Sequence, residues 1–282
     1  MEKTPSITLR DGTEMTQLGF GVLIPDTGSA KEAVSSAISL GYRLIDTASA
    51  YGNESAVGEA IKTSGINRND LFITSKLWIS DFAYESAKKG IDTSLSNLGL
   101  DYLDLYLLHQ PYNDIFGAWR ALAEAQKAGK IREIGVSNFY ADQLKNLELT
   151  TNIKPAVNQI EVNPFHQQKK EIQFNQFEDV QVEAWSPFAE GQKNIFANAT
   201  LKNIAEDHHK TSGQVILRWL LQRNIVVIPK SVHESRMKES LDIFDFQLSD
   251  DEMKQIGQLD TGKSQFFDHR DPQTIEQAFK MQ

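Results

Sequence analysis

The stretch LFITSKLWISDFAYESAKKGIDTSLSNLGLDYLDLYLL, residues 71–108, holds two short apolar runs on either side of one longer amphipathic segment. LFITSKL at 71–77 and LDLYLL at 103–108 read as strands, and residues 83–98 read as the helix between them. A strand, a helix and a second strand in that order imply parallel pairing and a right-handed crossover. Outward from this unit the alternation repeats. Strands are expected at Leu18–Val22, Tyr42–Ala48 and near 131–136, 156–160, 180–185 and 225–228. Helices are expected at 54–63, 115–128, 140–149, 168–176, 197–222 in two pieces, and 233–241. A further helix is expected to open at Ser29, where Ser29–Ala30–Lys31–Glu32 reads as a capping box and Gly41 as the stop. Three more capping boxes open at Thr211, Ser231 and Ser249.

Eight strands alternating with helices close into a (β/α)8 barrel, and 282 residues suit one such domain spanning 1–282, since the architecture takes roughly 250. A hairpin of Ile7–Arg10 and Thr13–Leu18, turning at Asp11–Gly12, lies outside that count and should cover the bottom of the barrel. The rival, an open doubly wound sheet, calls for G-x-G-x-x-G after an early strand. Gly19–Phe20–Gly21 lacks the third glycine.

Composition narrows the function. With 29 basic and 38 acidic residues the net charge is −9, which weakens any nucleic-acid or anionic-membrane reading. Cysteine is absent, which removes disulfides, thiolate nucleophiles and cysteine-bound metals. The N-terminal segment MEKTPSITLRDG has no apolar core of a secretory signal, and no apolar run is long enough for a membrane span. The expectation is a cytoplasmic, monomeric protein that acts on a small molecule.

In a barrel of this kind, chemistry sits where strands end and βα loops begin. Asp46 and Tyr51 follow the second strand, Lys76 ends the third, and His109 follows the fourth. Those four residue types at adjacent strand ends suit delivery of a proton to a carbonyl oxygen. An ammonium beside a phenol favours its ionised form and lowers its pKa, and Asp46 would keep Lys76 charged. His109 would orient the carbonyl or assist the transfer. Taken singly, each has a plainer reading: a turn aspartate, a loop tyrosine, a surface lysine, a structural histidine.

Proton delivery needs an electron donor, and a nicotinamide hydride is the natural candidate. Amides at Asn138 and Gln159 with Ser137 could hold its carboxamide, and Trp185 could stack on its ring or simply pack in the core. Lys230, a hydroxyl and Arg236 before a helix form a phosphate-binding pattern, or else a solvated cap. As a phosphate site it would favour NADPH over NADH.

At this point the chain resembles a family, the aldo-keto reductases, in particular the bacterial branch similar to 2,5-diketo-D-gluconate reductases and related aldehyde and methylglyoxal reductases. The resemblance runs through LGFGV, GYRLIDTASAYGNE, ITSKLW, DYLDLYLLHQP, GKIREIGVSNF, AVNQIEVNPF, AWSPF and IVVIPKSVHESRMKESL to FFDHRDP. It implies NADPH-dependent carbonyl reduction without a metal. Tyr51 would be the proton donor, assisted by Lys76 and Asp46, with His109 orienting the substrate. Ser137, Asn138 and Gln159 would hold the carboxamide, and Trp185 would stack on the ring. Gly21 and Val22 would join the cofactor site, and Ser186, Pro187 and Phe188 would lie along the pyrophosphate. Lys230, Ser231, Val232 and Arg236 would take the adenosine phosphate, with Glu239 and Ser240 near the adenine. Ser240 departs from the usual asparagine there, which should weaken that contact.

For the substrate pocket the matching loops name Val22, Ile24, Trp78, Gln110 and Phe267 as walls, with His269 and Arg270 near an anionic tail or simply at the surface. The tail after residue 260 is short and the loop after Trp185 compact beside the larger mammalian members, so the mouth is expected to be more open than theirs. Expected substrates are reactive aldehydes, α-dicarbonyls such as methylglyoxal, or keto-sugars. The alternative is a nicotinamide-binding sensor with vestigial turnover. Two other barrel chemistries compete: a Schiff base on Lys76, and a glycosidase pair of Glu161 and Glu183. His208–His209 shows no metal-ligand spacing.

Overall fold

The structure, a computed structural model, describes residues 4–281. Met1–Lys3, where the leader reading begins, and Gln282 lie outside the described residues. An antiparallel hairpin of β1 (Ser6–Thr8) and β2 (Glu14–Thr16) comes first. Eight parallel strands follow: β3 (Phe20–Gly21), β4 (Leu44–Asp46), β5 (Phe72–Leu77), β6 (Leu103–Leu108), β7 (Ile131–Ser137), β8 (Val157–Glu161), β9 (Gln181–Trp185) and β10 (Val226–Val227). Each pairs with the next in chain order. The seam between β10 and the start of β3 is closed by Leu18 against Val227, with Gly19 N donating to Val227 O at 2.8 Å. The expected barrel is therefore present.

Helices α1 (Thr27–Leu40), α2 (Glu54–Thr63), α3 (Tyr84–Leu98), α4 (Ile115–Lys127), α5 (Ala141–Thr151) and α6 (Lys169–Phe177) fill successive crossovers. They are followed by α7 (Ala199–Asp207), α8 (Ser212–Gln222), α9 (Glu234–Leu241), α10 (Asp250–Gly257) and α11 (Pro272–Lys280). The boxes at Thr211 and Ser249 form as expected. The one at Ser29 does not: Asp26 is the cap and accepts from Ser29 N at 2.7 Å, so the helix starts earlier. Ser231 also fails as a cap, because its Oγ bonds His233 N and His233 takes the cap position without a side-chain bond. The hairpin turns through three residues rather than two, with Gly12 N donating to Leu9 O and Gly12 at φ 95°, a conformation open to glycine.

Side chains alternate across each strand, and the two sides differ in character. Residues turned outward, such as Ile45, Ile73, Leu77, Tyr106 and Leu108, join the apolar layer beneath the helices. Inside, a separate apolar cluster of Leu44, Phe72, Leu105, Leu107, Val157 and Val226 fills the barrel, and Leu9 and Met15 of the hairpin segment seal it from below. Above this floor the inward positions turn polar. The same spacing that puts Leu44 and Phe72 in the floor puts Asp46 and Lys76 in the upper interior.

Candidate active site

The four residues expected at strand ends converge. Lys76 Nζ lies 2.5 Å from Asp46 Oδ1, 2.9 Å from Thr47 O and 3.5 Å from Tyr51 Oη. Lys76 has no exposed surface, so its charge is satisfied entirely by these partners. Burial pulls the ammonium down, yet Asp46 and then Tyr51 carry it above its ordinary value. Lys76 is thus a fixed cation, the opposite of what a Schiff-base lysine needs.

Tyr51 corrects one expectation. Its phenol is pushed up by burial, and the lowering by Lys76 does not overcome that together with the opposing charge of Asp46. The hydroxyl therefore keeps its proton at neutral pH and is available as a donor. The His109 imidazole is driven well below its usual value, by burial first and then by Lys76. A neutral imidazole suits orienting a carbonyl through an N–H better than supplying a proton as an acid. Its Nδ1 is buried without a partner among the described residues. The ring sits edge-on to Tyr51 at 5.7 Å and to Trp78 at 5.1 Å between centroids.

Local structure fixes each of these groups. Tyr51 ends a short 3-10 turn, Ser49–Tyr51, whose Ser49 Oγ bonds Lys76 O at 2.9 Å. Asn53, absent from the sequence reading, is fully buried and donates to Val22 O and Ile24 O while accepting from Thr47 Oγ1. Its place inside the most distinctive block, GYRLIDTASAYGNE, was the only available signal.

A cavity of about 510 Å³ opens above these groups. Asp46, Tyr51, Trp78, His109 and Gln110 border it, as do Gly21, Val22, Ser137, Asn138, Gln159, Trp185, Ser186, Lys230 and Phe267. Ile24 does not: it is buried in the core and Leu23 faces the cavity instead. Pro187, Phe188, Ser231, Val232, Arg236, Glu239 and Ser240 lie off the cavity. Phe188 packs on Phe196, with ring centroids 5.5 Å apart. Glu239 accepts from Thr211 Oγ1 at 2.5 Å, and Ser240 lies beside the buried Tyr42 hydroxyl. Ser231 and Val232 lead from Lys230 into α9, and Arg236 lies in its first turn, exposed and with no ion pair among the described residues.

The polar groups around the cavity already hold one another. Trp185 Nε1 donates to Asn138 Oδ1 at 2.9 Å, and Ser137 Oγ donates to Gln159 O at 2.9 Å. Glu190, which the sequence did not single out, accepts from Ser186 Oγ and Lys230 Nζ, both at 3.1 Å, and so ties the loops after β9 and β10. Gly21 is needed at the seam, because a Cβ there would stand 2.8 Å from Ile228 O.

The short tail borders the cavity. It folds as α11, capped by Asp271 with Pro272 in the first turn, a helix-start signal present in the sequence. Thr274, Gln277, Ala278 and Met281 border the cavity, and Trp78 Nε1 donates to Met281 O at 2.8 Å. His269 borders the cavity although largely buried; the Tyr112 hydroxyl donates to its carbonyl, and burial lowers its imidazole to about 4. Arg270 pairs with Asp142 outside the cavity. Glu161 and Glu183 do not form a glycosidase pair: neither borders this cavity, and Glu161 is held by Ser264 and Gln265.

Comparison with known proteins agrees with this geometry. The profile of the Aldo/keto reductase family matches residues 18–261. A glyoxal reductase of Bacillus subtilis is 48% identical, covering 90% of this chain and 92% of its own. A morphine 6-dehydrogenase of Pseudomonas putida is 43% identical, covering 96% and 97%. The crystal structure of a Bombyx mori aldo-keto reductase in complex with NADP superposes with a TM-score of 0.91 at 33% identity, covering 98% of each chain. A buried Asp–Lys–Tyr line under a neutral histidine, on a barrel matched over nearly its whole length, places this chain in the aldo/keto reductase family, the enzymes that reduce carbonyl groups with NAD(P)H.

Proposed function

We propose that the chain reduces small reactive aldehydes and α-dicarbonyls such as glyoxal and methylglyoxal, drawing hydride from NADPH, with Tyr51 as the proton donor. The observation that carries this reading is the line Asp46–Lys76–Tyr51, in which a buried cation lies 3.5 Å from a protonated phenol facing the cavity. Support for the substrate class comes from the glyoxal reductase likeness and from a cavity walled by Trp78, Trp185 and Phe267. Such walls suit compact carbonyls whose oxygens are met by the few polar groups at the cavity, Tyr51 and His109 among them.

The residues present fit a nicotinamide nucleotide. Asp46, Tyr51 and His109 gather at one end of the cavity, Gln159 and Asn138 offer amides beside Trp185, and Lys230 stands at the rim before α9. Bound there, NADPH would supply the hydride. The chain's own part is to hold the carbonyl oxygen between the Tyr51 hydroxyl and the His109 ring and to pass it the Tyr51 proton. The Lys76 ammonium stabilises the phenolate left behind, and Asp46 keeps that ammonium charged and in place. Lys230 and Arg236, on either side of the start of α9, support preference for NADPH through its additional phosphate. Every group this chemistry calls on lies within one chain, which supports a monomer, and the likeness to bacterial glyoxal and methylglyoxal reductases supports a place in the cytoplasm.

Optical measurement of NADPH and NADH oxidation with glyoxal, methylglyoxal and a keto-sugar tests the reading. Faster turnover with NADPH and an α-dicarbonyl is the expected result. Tight binding of NADPH with no turnover of any carbonyl would favour a nucleotide sensor instead.

A further inference from the structure

Beneath the tetrad lies a carboxyl group with no part in the reaction described so far. Glu183 is on β9 with its side chain inside the barrel, has no exposed surface, and does not border the cavity. Its register neighbours are Gln159 on β8 and Val226 on β10. The Gln159 amide joins it to the site, since Nε2 donates to Glu183 Oε2 at 2.7 Å and to Asp46 Oδ2 at 2.9 Å. Asp46 then holds Lys76 through its other oxygen, and Lys76 approaches the phenol. These side chains thus form one hydrogen-bonded line from the barrel interior to the cavity floor.

We propose that Glu183 is a positioning residue of this site, the buried end of a line Glu183–Gln159–Asp46–Lys76–Tyr51 through which it acts on proton transfer at the Tyr51 hydroxyl. The inference rests on the carbonyl-reductase reading above. Among the described residues the second Asp46 oxygen is satisfied by Gln159, and Gln159 is steadied from the other side by Glu183. Removing that acceptor frees the amide to turn, and the carboxylate that orients Lys76 loses a fixed partner.

The charge state of Glu183 matters as well. Burial, followed by Asp46, raises its carboxyl to about 8, with the Gln159 bond and the Lys76 charge opposing. Asp46 on β4 and Lys76 on β5 are the charged groups acting on it; β8 contributes the neutral Gln159 and β10 the apolar Val226. Burial raises the Asp46 carboxyl as well, against the Lys76 charge, so below that pH the two carboxyls carry one negative charge between them beside the Lys76 cation. Above it a second anion joins them, makes the Tyr51 proton harder to release, and slows its donation.

The test is the pH profile of kcat for NADPH-linked reduction of glyoxal, in the wild type and in Glu183→Gln, with binding of NADPH followed by tryptophan fluorescence. The wild type should step down to a lower plateau, by about three- to tenfold, with a midpoint near 8, the size expected for a shift of up to about one pKa unit. Glu183→Gln keeps the hydrogen-bonded line but cannot ionise, so it should hold the upper plateau through this range with NADPH affinity unchanged. Glu183→Leu breaks the line and should lower kcat far more than it raises KM. An unchanged step in Glu183→Gln, or no step in the wild type, would overturn the role of Glu183 while leaving the functional reading intact. Absence of any wild-type turnover with NADPH would instead remove that reading, and this inference with it.

Discussion

The two halves of the barrel interior are built from the same alternation of inward residues, yet their contents are opposite. The lower half holds Leu44, Phe72, Leu105, Val157 and Val226, with Met15 of the hairpin closing it from outside. The upper half holds Asp46, Lys76 and Gln159, two to four residues further along the same strands, and Glu183 on β9, all buried. Below, stability comes from excluding water around apolar surface. Above, charges taken out of water are tolerated only because each one has a partner, and that arrangement costs stability in return for a polarised site. The lower half tolerates changes of shape poorly and has no chemistry, whereas the upper half has chemistry and tolerates no loss of charge balance.

Lys76→Met should produce the largest effect, because it removes the cation and leaves Asp46 as an uncompensated buried anion. Stability should fall by about 3–5 kcal/mol in chemical denaturation, and kcat by at least about a thousandfold. Leu105→Ala tests the other half. A cavity in the apolar floor should cost about 2–5 kcal/mol while KM and the pH profile stay unchanged. A change in KM there would mean that the two halves are not as separate as their contents suggest.

Glu133, on β7, is a smaller test, since it is a carboxyl buried near the hairpin turn in contact with Asp11. Burial first, then the Asp11 bond, raises it to about 8. A carboxyl whose folded value is raised contributes stability that is complete below its unfolded value and lost as pH rises towards about 8. Glu133→Gln should therefore raise Tm by about 2–4 °C at pH 9 and leave it unchanged near pH 4, measured by thermal melts. The smallest effect is expected at the rim. Trp78→Phe keeps an aromatic wall but loses the bond to Met281 O, and KM for the carbonyl should rise about two- to fivefold with kcat preserved.

These two halves were not equally legible in the sequence. Strand positions and the four catalytic candidates could be read because a buried strand is a short apolar run, and a polar residue at its end breaks the pattern conspicuously. Asp46, Lys76 and His109 each interrupt such a run, and Tyr51 follows within one loop. Glu183 was legible only as half of a glycosidase pair with Glu161, since a single acid in VQVEAW does not show its contact with Gln159 until the barrel closes around it. Helix starts were legible where the cap lies next to the periodic residues, as at Thr211 and Ser249. Asp26 is hidden because Ser29 offers a similar pattern inside the helix it was expected to begin. Ile24 was misplaced by one residue because the chain after β3 follows no regular period, and Asn53 fixes it through backbone carbonyls. The helix in the tail was readable from Asp271–Pro272, but its place beside the cavity was not, since the length of a tail says nothing of what it packs against. The proposed nucleotide contacts are least legible, since Lys230, Ser231 and Arg236 are polar residues at a helix start and would be ordinary there without a ligand.

The most direct measurement is a single-turnover experiment with NADPH and glyoxal, comparing the wild type with Tyr51→Phe and titrating NADPH binding in both. The phenylalanine ring preserves the packing against His109 and removes only the hydroxyl that Lys76 addresses. Oxidation of NADPH should be lost by at least about a hundredfold while its Kd stays within a few-fold of the wild type. Undiminished oxidation in that variant would contradict the role of the buried Asp46–Lys76–Tyr51 line as the source of the proton.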